Sequence, residues 1–203
     1  MKKIQLLLAA IIVVFASCEQ KVQLPSSGTH NGHEYVDLGL PSGALWATCN
    51  VGADAPTEYG DYFAWGETET KRAFSEETYT FYLSPDVLIL PYDAAAVNWG
   101  EGWRMPSKKE ANELCDECTF VRKKINGVAG LLITGPNGNS IFLLAAGIVD
   151  DLVHSEPCGY YWSSSISTFG QSSYAQGLRF SSGATDILNI PSSDGLTIRP
   201  VLP

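Results

Sequence analysis

The chain has 203 residues, with 13 lysines and arginines against 22 aspartates and glutamates, and a formal net charge of −9. This acidity argues against a nucleic-acid partner, which would require a basic patch, and against tight contact with anionic lipid headgroups. Charged residues make up 17%, aromatic residues make up 11%, and glycine occurs 19 times. That composition favours one β-rich domain with many turns over a helical bundle or a disordered chain.

The N-terminus has the organisation of an export signal. Two early lysines precede an apolar run over 6–16, and the small residue Ser17 stands directly before Cys18. The run is shorter than the ~20 residues that a membrane-spanning helix needs, so we predict that 1–17 is a cleaved signal peptide. A cysteine in this position resembles the lipobox of bacterial lipoproteins. We therefore expect Cys18 to be acylated, the alternative being an ordinary signal with a chance cysteine.

The residues after Cys18 indicate a location. No aspartate follows it to resemble an inner-membrane retention signal, and Glu19 is similar to the acidic export signals of surface lipoproteins in Bacteroides-type bacteria. We predict an outer-membrane lipoprotein that faces the cell surface and is anchored through lipid at Cys18. The polar segment 18–32, rich in Ser, Gly and Pro, is predicted to be a flexible tether for a domain over 33–203.

The first part of that domain is typical of a hairpin followed by loops. Residues 34–40 alternate polar and apolar side chains, Pro41-Ser42-Gly43 is turn-forming, and 45–49 resumes a strand. The stretch 53–97 combines aromatic, glycine and acidic residues without a clear period. We expect long loops there.

A short helix is predicted after Pro106. Ser107 and Glu110 have the spacing of a capping box, in which each side chain bonds to a backbone N–H of the first turn. The apolar positions that follow have helical spacing and define one stripe: Ala111, Leu114, Cys115 and Cys118.

The remaining sequence predicts a β meander. Strands at 120–125 and 128–134 flank Asn126-Gly127, a strong hairpin turn signal. Further strands are predicted at 140–145, 159–163, 174–181, 184–190 and 196–201. The fold class is therefore α+β, with mostly antiparallel strands and one or two short helices.

Four ordered blocks resemble a known family. They are 32–43 with Leu45-Trp46-Ala47, then 59–67, then 98–100 with 102–106, and finally 159–164 with Ile198-Arg199-Pro200-Val201. Together they resemble the Fibrobacter succinogenes major paralogous domain family, which is abundant in Bacteroides-group lipoproteins. The resemblance extends over about 33–203.

The resemblance implies a C-type-lectin-like fold, a group that also includes the formylglycine-generating enzymes. The sequence Trp-Arg-Met-Pro-Ser-x-x-Glu, leading into the helix, is the clearest shared feature. It further implies that the first and last strands of the domain pair. It transfers no settled biochemical role, and Ala111 stands where family members usually have a bulky aromatic residue.

Four cysteines remain after Cys18, namely Cys49, Cys115, Cys118 and Cys158. In an oxidising compartment they suggest two disulfides, with three possible pairings. Because Cys49 and Cys118 lie in blocks that commonly carry cysteine in the family, the resemblance favours Cys49–Cys118 with Cys115–Cys158. A redox pair at Cys115 and Cys118 is disfavoured, since both lie late in the helix beside acidic residues.

Calcium and catalytic motifs are weak. Where sugar-binding C-type lectins have Glu-Pro-Asn and Trp-Asn-Asp, this chain has Glu156-Pro157-Cys158 and Trp162-Ser163-Ser164, which lack the best calcium ligands. A Ser-His-Asp arrangement would depend on His154 alone. We therefore predict no catalytic residue, no metal site and no cofactor.

Aromatic side chains give the positive functional hypothesis. Tyr59, Tyr62, Trp65 and Trp99 lie in the loop region, where exposed faces could stack on a sugar ring or a peptide. Glycines flank Tyr59 and Trp65, so we expect these two to be partly exposed. Trp46, Trp103 and Trp162 are expected in the core.

These observations predict a non-catalytic surface module that binds glycan, peptide or another envelope protein. The alternatives are a structural subunit of a surface assembly and an enzyme distantly related to the formylglycine-generating group. A cleft that stacks sugar would favour the first, a flat apolar patch the second, and a pocket holding a thiol the third.

Overall fold

The computed structural model describes residues 26–83, 85–149, 157–167 and 173–203. Within these ranges it is sheet-rich α+β, and all strand pairs in its sheets are antiparallel. The helices are α1 (Ala94–Trp99) and α2 (Lys108–Glu117), with a short 3-10 helix at Glu76–Thr78. The strands are β1 (Gly28–His30), β2 (His33–Asp37), β3 (Leu45–Ala47), β4 (Thr119–Ile125), β5 (Val128–Thr134), β6 (Ser140–Leu144), β7 (Gly159–Ile166), β8 (Tyr174–Phe180), β9 (Thr185–Pro191) and β10 (Val201–Leu202).

The first sheet begins earlier than the sequence predicted. Its order is β1-β2-β3-β10, and β1 lies inside the segment 18–32 that was expected to be a tether. Asn31 and Gly32 both have positive φ, at 49° and 82°, and form the two-residue turn that joins β1 to β2. Asn-Gly is a hairpin signal that could have been recognised from the sequence. Regular structure is therefore already present at β1, before residue 33.

The last strand lies in the sheet that contains the first strands, but it does not pair as expected. β10 pairs with β3, whereas β2 has β1 on one edge and β3 on the other. Both edges of β2 are therefore occupied, and the implied pairing of the first and last strands is wrong. The last strand pairs with β3 instead. The predicted strand 196–201 is also shorter, because Leu196 bridges Phe63 and Thr197 bridges Tyr161 before β10 begins.

Local signals predicted the helix and the meander well. Ser107 caps α2 by accepting from the Glu110 N–H, and the Glu110 side chain accepts from the Ser107 N–H at 2.8 Å. The predicted stripe faces inwards, with Ala111 and Leu114 buried and both cysteines half-buried. β4 and β5 pair around Asn126-Gly127, forming the sheet β4-β5-β6. The third sheet has the order β7-β8-β9.

Two large clusters form the core. The first contains Trp65, Trp99, Trp103 and Trp162, and the second contains Trp46 together with Leu114 of α2. Trp46, Trp103 and Trp162 are each 1% exposed, which confirms that they belong to the core. In the described part of the chain, no helix is long and apolar enough to cross a membrane.

A buried arginine, Arg199, connects the first sheet to the second. Arg199 is 1% exposed, and its Nε donates to Asn50 Oδ1 at 2.9 Å. Its Nη1 donates to the carbonyls of Ala47 and Thr48, at 3.2 and 3.0 Å, and its Nη2 donates to the carbonyl of Phe142 at 3.1 Å. Arg199 thus joins β3 of the first sheet to β6 of the second.

Replacing this arginine tests its structural role. We expect Arg199→Met to lower the free energy of unfolding by about 3 kcal/mol, because four buried acceptors would lose their donors. Urea unfolding followed by tryptophan fluorescence would measure the change.

The matched control is Arg179→Met, which removes a half-exposed arginine paired with Asp186 at 3.0 and 2.7 Å. A surface ion pair of this kind contributes only about 1 kcal/mol or less. Equal losses in the two variants would contradict a special role for Arg199.

Candidate functional site

The two tyrosines predicted to contact a ligand remain at least partly accessible. Tyr59 is 49% exposed, as its flanking glycine suggested. Tyr62 is half-buried, and its hydroxyl donates to the carbonyl of Ala146 at 2.6 Å. Burial, together with the proximity of Tyr59, raises the pKa of Tyr62. Tyr59 can therefore offer a ring face to a ligand, whereas Tyr62 is held in place by a structural contact.

The two tryptophans predicted at the site belong instead to the core. Trp65 is 1% exposed, and its indole N–H donates to the carbonyl of Ser163 at 2.9 Å. Trp99 is 7% exposed, because the His33 ring stacks on it with centroids 3.7 Å apart and Trp103 packs edge-on at 5.0 Å. The expectation that Trp65 is partly exposed is wrong. The predicted four-residue stacking surface is not formed.

Exposed apolar side chains are instead concentrated on a loop that the sequence reasoning did not single out. We call the described residues of 82–90, namely 82–83 and 85–90, the apolar loop. Eight large apolar side chains are exposed in the described part of the chain, and five of them belong to this loop: Tyr82 at 80%, Leu83 at 53%, Val87 at 46%, Ile89 at 68% and Leu90 at 61%. This concentration within one segment contrasts with the scattered apolar residues that any protein exposes and makes the loop a candidate binding surface. The apolar run Val-Leu-Ile-Leu at 87–90 was the signal that could have revealed it.

Backbone pairing fixes the orientation of the apolar loop. Leu88 N–H donates to the carbonyl of Ser164 at 2.7 Å, and Ile166 N–H donates to the carbonyl of Asp86 at 3.1 Å, so 86–88 extends the edge of β7. Side chains alternate along such a segment. Leu88 is consequently buried at 4% exposure, while Val87 and Ile89 point away from the core.

A groove lies beside the apolar loop. It has a volume of about 550 Å³ and is lined by Val87, Ile89, Leu90, Trp103 and Met105 together with polar groups. One of these polar groups is an ion pair between Arg104 and Glu110. Burial acts to raise the pKa of Glu110, but hydrogen bonds from Arg104 and Ser107 outweigh it and hold the pKa below its usual range. The groove therefore combines apolar walls with a fixed pair of charges.

A more polar pocket is formed by residues that precede and follow the apolar loop in the sequence. It has a volume of about 430 Å³ and is lined by Glu67, Thr68, Lys71, Thr80 and Tyr92 among others. Lys71 Nζ is 2.7 Å from a Glu67 carboxylate oxygen, and the other Glu67 oxygen accepts from both the N–H and the hydroxyl of Thr80. These polar groups already have partners, so a ligand would have to share them.

The predicted disulfides are not formed. Cys49, Cys115 and Cys118 are free thiols, so neither Cys49–Cys118 nor Cys115–Cys158 is present. The physical reason is their placement: Cys49 and Cys158 pack in the first core cluster, whereas Cys115 and Cys118 pack against the second. Each predicted pair would have to join one cluster to the other.

Motifs considered for metal or catalytic chemistry have structural roles where they are described. Ser163 and Ser164 are buried, and the Ser163 hydroxyl donates to the carbonyl of Gln176 at 2.7 Å. In the described ranges, no three His, Cys, Asp or Glu side chains are grouped closely enough to hold a metal ion. His154 and Glu156 lie outside the described residues.

Comparison with protein-family models, with curated proteins and with solved structures found no match to this chain.

The two helix cysteines give a testable prediction about thiol reactivity. Burial, followed by the neighbouring acidic residues, raises the pKa of both Cys115 and Cys118 to about 11. The thiolate is the reactive form, so at neutral pH we expect alkylation roughly 100-fold slower than for an unperturbed thiol, accelerating as the pH rises. Timed iodoacetamide labelling of the native protein, read by peptide mass spectrometry, would measure this.

Labelling in denaturant without reductant provides the control. The free thiols of Cys49, Cys115 and Cys118 should then all be modified. Modification that appears only after reduction would contradict the structure and restore the disulfide hypothesis.

Proposed function

We propose that the chain is an outer-membrane lipoprotein, anchored through Cys18, whose domain is a non-catalytic binding module on the cell surface. Its partner is best described as a peptide or an envelope protein, with glycan as the competing ligand. The proposal combines the address predicted from the N-terminal sequence with the surface that the fold presents. The observation that carries it is the concentration of exposed apolar side chains on the apolar loop.

We also propose that the domain belongs to the C-type-lectin-like folds. The capped helix α2 after Trp103-Arg104-Met105-Pro106 and the placement of β10 in the N-terminal sheet support this assignment. In such an arrangement, long loops project from a body held together by its terminal strands. The apolar loop and the groove beside it belong to this loop region.

The character of the surface favours a protein partner over a sugar. Apolar side chains on a loop can bury area against another apolar surface, which is the dominant favourable term in protein association. Sugar stacking would instead need several open aromatic faces, but Trp65 and Trp99 are buried and Tyr82 is the one aromatic side chain among the five exposed on the apolar loop. The same exposed loop would suit a structural subunit of a surface assembly, which is the second candidate.

The thiol chemistry offers little support for the enzymatic alternative. Cysteine-based oxidation needs an accessible thiolate, and burial raises the pKa of Cys115 and Cys118 to about 11. Both side chains also pack against the second core cluster. A binding function does not require a reactive thiol at either position.

Membrane attachment can be tested at Cys18. We expect Cys18→Ala to abolish lipid modification and to shift the protein out of the outer-membrane fraction, because multiple acyl chains supply the anchoring energy. Fractionation and mass spectrometry of the mature N-terminus would show both effects. Cys118→Ala, which removes a thiol from the domain, should leave attachment unchanged. Wild-type protein that carries no lipid on Cys18 would contradict the lipoprotein proposal.

Ligand class can be tested with arrays of glycans and of purified envelope proteins. We expect the full chain in mild detergent to bind a protein on the array. Ile89→Asp should weaken that binding by about tenfold or more, because the substitution puts a charge on the apolar contact. Biolayer interferometry would quantify the change.

The matched control is Val97→Asp, since Val97 is also exposed, at 47%, but lies on α1. Its effect on this binding should be small. Equal losses of binding in the two variants would show that the apolar loop is not part of the interface. Binding to glycans and to no protein on the array would overturn the preference for a protein partner. Concentration-dependent self-association lost in Ile89→Asp would favour the assembly subunit.

A further inference from the structure

A second surface lies on β4, at the edge of the sheet β4-β5-β6. Every residue from Thr119 to Ile125 has a partner on β5. On its other side, β4 has no strand beside it among the described residues. An unpaired strand edge presents a row of backbone N–H and C=O groups to any extended chain that approaches it.

The hairpin geometry identifies which backbone groups are available. In a two-residue hairpin, the residues that flank the turn exchange hydrogen bonds with each other, and the bonding alternates from there along the strand. Ile125 and Val128 flank the turn, so Ile125, Lys123 and Val121 bond towards β5. The backbone groups of Lys124 and Arg122 then point outwards from the sheet.

The same edge carries an unusual charge. Arg122, Lys123 and Lys124 are consecutive and exposed, in a chain whose formal net charge is −9. None of the ion pairs found between described residues involves them. Arg122 and Lys124 share one face of β4, because side chains two apart on a strand point the same way. This face therefore presents two cations beside outward-pointing backbone groups.

A hollow next to these cations could receive a side chain. It has a volume of about 260 Å³ and is lined by 122–124, 129–130, Ala145, Pro157 and Phe180. A strand added to β4 would direct alternate side chains towards this hollow. Backbone pairing would supply affinity, and the hollow with its cations would supply selectivity.

We propose that β4 is a docking edge for an extended acidic peptide segment, which adds to the sheet as a further strand. The charge decides the partner. Two copies of this chain cannot pair through β4 without bringing two Arg-Lys-Lys runs together, and like charges on adjacent strands are destabilising. An acidic strand meets no such repulsion. This surface is separate from the apolar loop, so it does not depend on the function proposed above.

A designed peptide tests the proposal. The probe is a capped peptide as long as β4, with glutamate at alternate positions between valine and threonine, added to the full chain in mild detergent. We expect saturable binding that weakens as salt is added, and protection of the Arg122 and Lys124 amides from hydrogen exchange. A peptide with glutamine in place of glutamate, and a backbone N-methylated glutamate peptide, should both bind about tenfold more weakly or worse.

Two variants separate charge from backbone pairing. Arg122→Glu with Lys124→Glu should abolish binding, whereas Arg72→Glu with Lys109→Glu makes the same change in net charge elsewhere and should not. Arg122→Pro removes an outward N–H that β5 does not use, so the hairpin should form and peptide binding should fall by about tenfold. Circular dichroism would establish that each variant is folded.

Two results would overturn the proposal. The first is binding that depends on charge but is indifferent to the N-methyl groups and leaves the amides unprotected, since this would indicate a purely electrostatic surface for polyanions. The second is absence of peptide binding, in which case the lysines serve only to prevent edge pairing. The exchange measurement decides between these outcomes even if the proline variant fails to fold.

Discussion

The guanidinium of Arg199 connects parts of the chain that are far apart in sequence. It is buried, and its hydrogen-bond partners are neutral oxygens from the end of β3 and the following Thr48, from Asn50 and from β6. Burial lowers the pKa of this group, which reflects the cost of removing a cation from water. Several fixed acceptors offset that cost only while all of them stay in place. The C-terminal segment, the first sheet and the second sheet are therefore locked to one another, and nearby Tyr161 adds the third sheet through its bond to the Leu144 carbonyl.

This scaffold explains why the two proposed binding surfaces differ. The apolar loop is an irregular segment, but its centre is paired to β7 and anchored by Leu88, so exposed side chains are presented from a fixed base. β4 is a regular strand whose inner edge is satisfied by β5 and whose outer edge has no strand beside it among the described residues. The first surface offers apolar area, and the second offers backbone hydrogen bonds with positive charge. The two surfaces suit different partners and can act independently.

Prediction from the sequence succeeded where a few neighbouring residues decide the structure. The capping box of Ser107 and Glu110 started α2, and Asn126-Gly127 joined β4 to β5, because both signals act over four residues or fewer. The same type of signal at Asn31-Gly32 was available for β1 but lay in a segment whose composition indicated a tether. The prediction of one strand over 196–201 failed for another reason. Leu196 bridges Phe63, Thr197 bridges Tyr161, and β10 then pairs with β3. No local sequence pattern encodes such a change of partner.

In the candidate site too, some features follow from local sequence and others depend on tertiary packing. The sequence by itself determined the acidic balance, the capped helix, the hairpins and the sheet-rich α+β class, since these follow from composition and short-range spacing. It is also the sole basis of the proposed export address at Cys18. Only the tertiary structure decided that Trp65 and Trp99 are buried, that Cys49, Cys115 and Cys118 are free thiols, and that apolar side chains are exposed on 82–90. The physical reason is that exposure and thiol pairing depend on which elements pack over a residue. That information resides in contacts between segments distant in the chain.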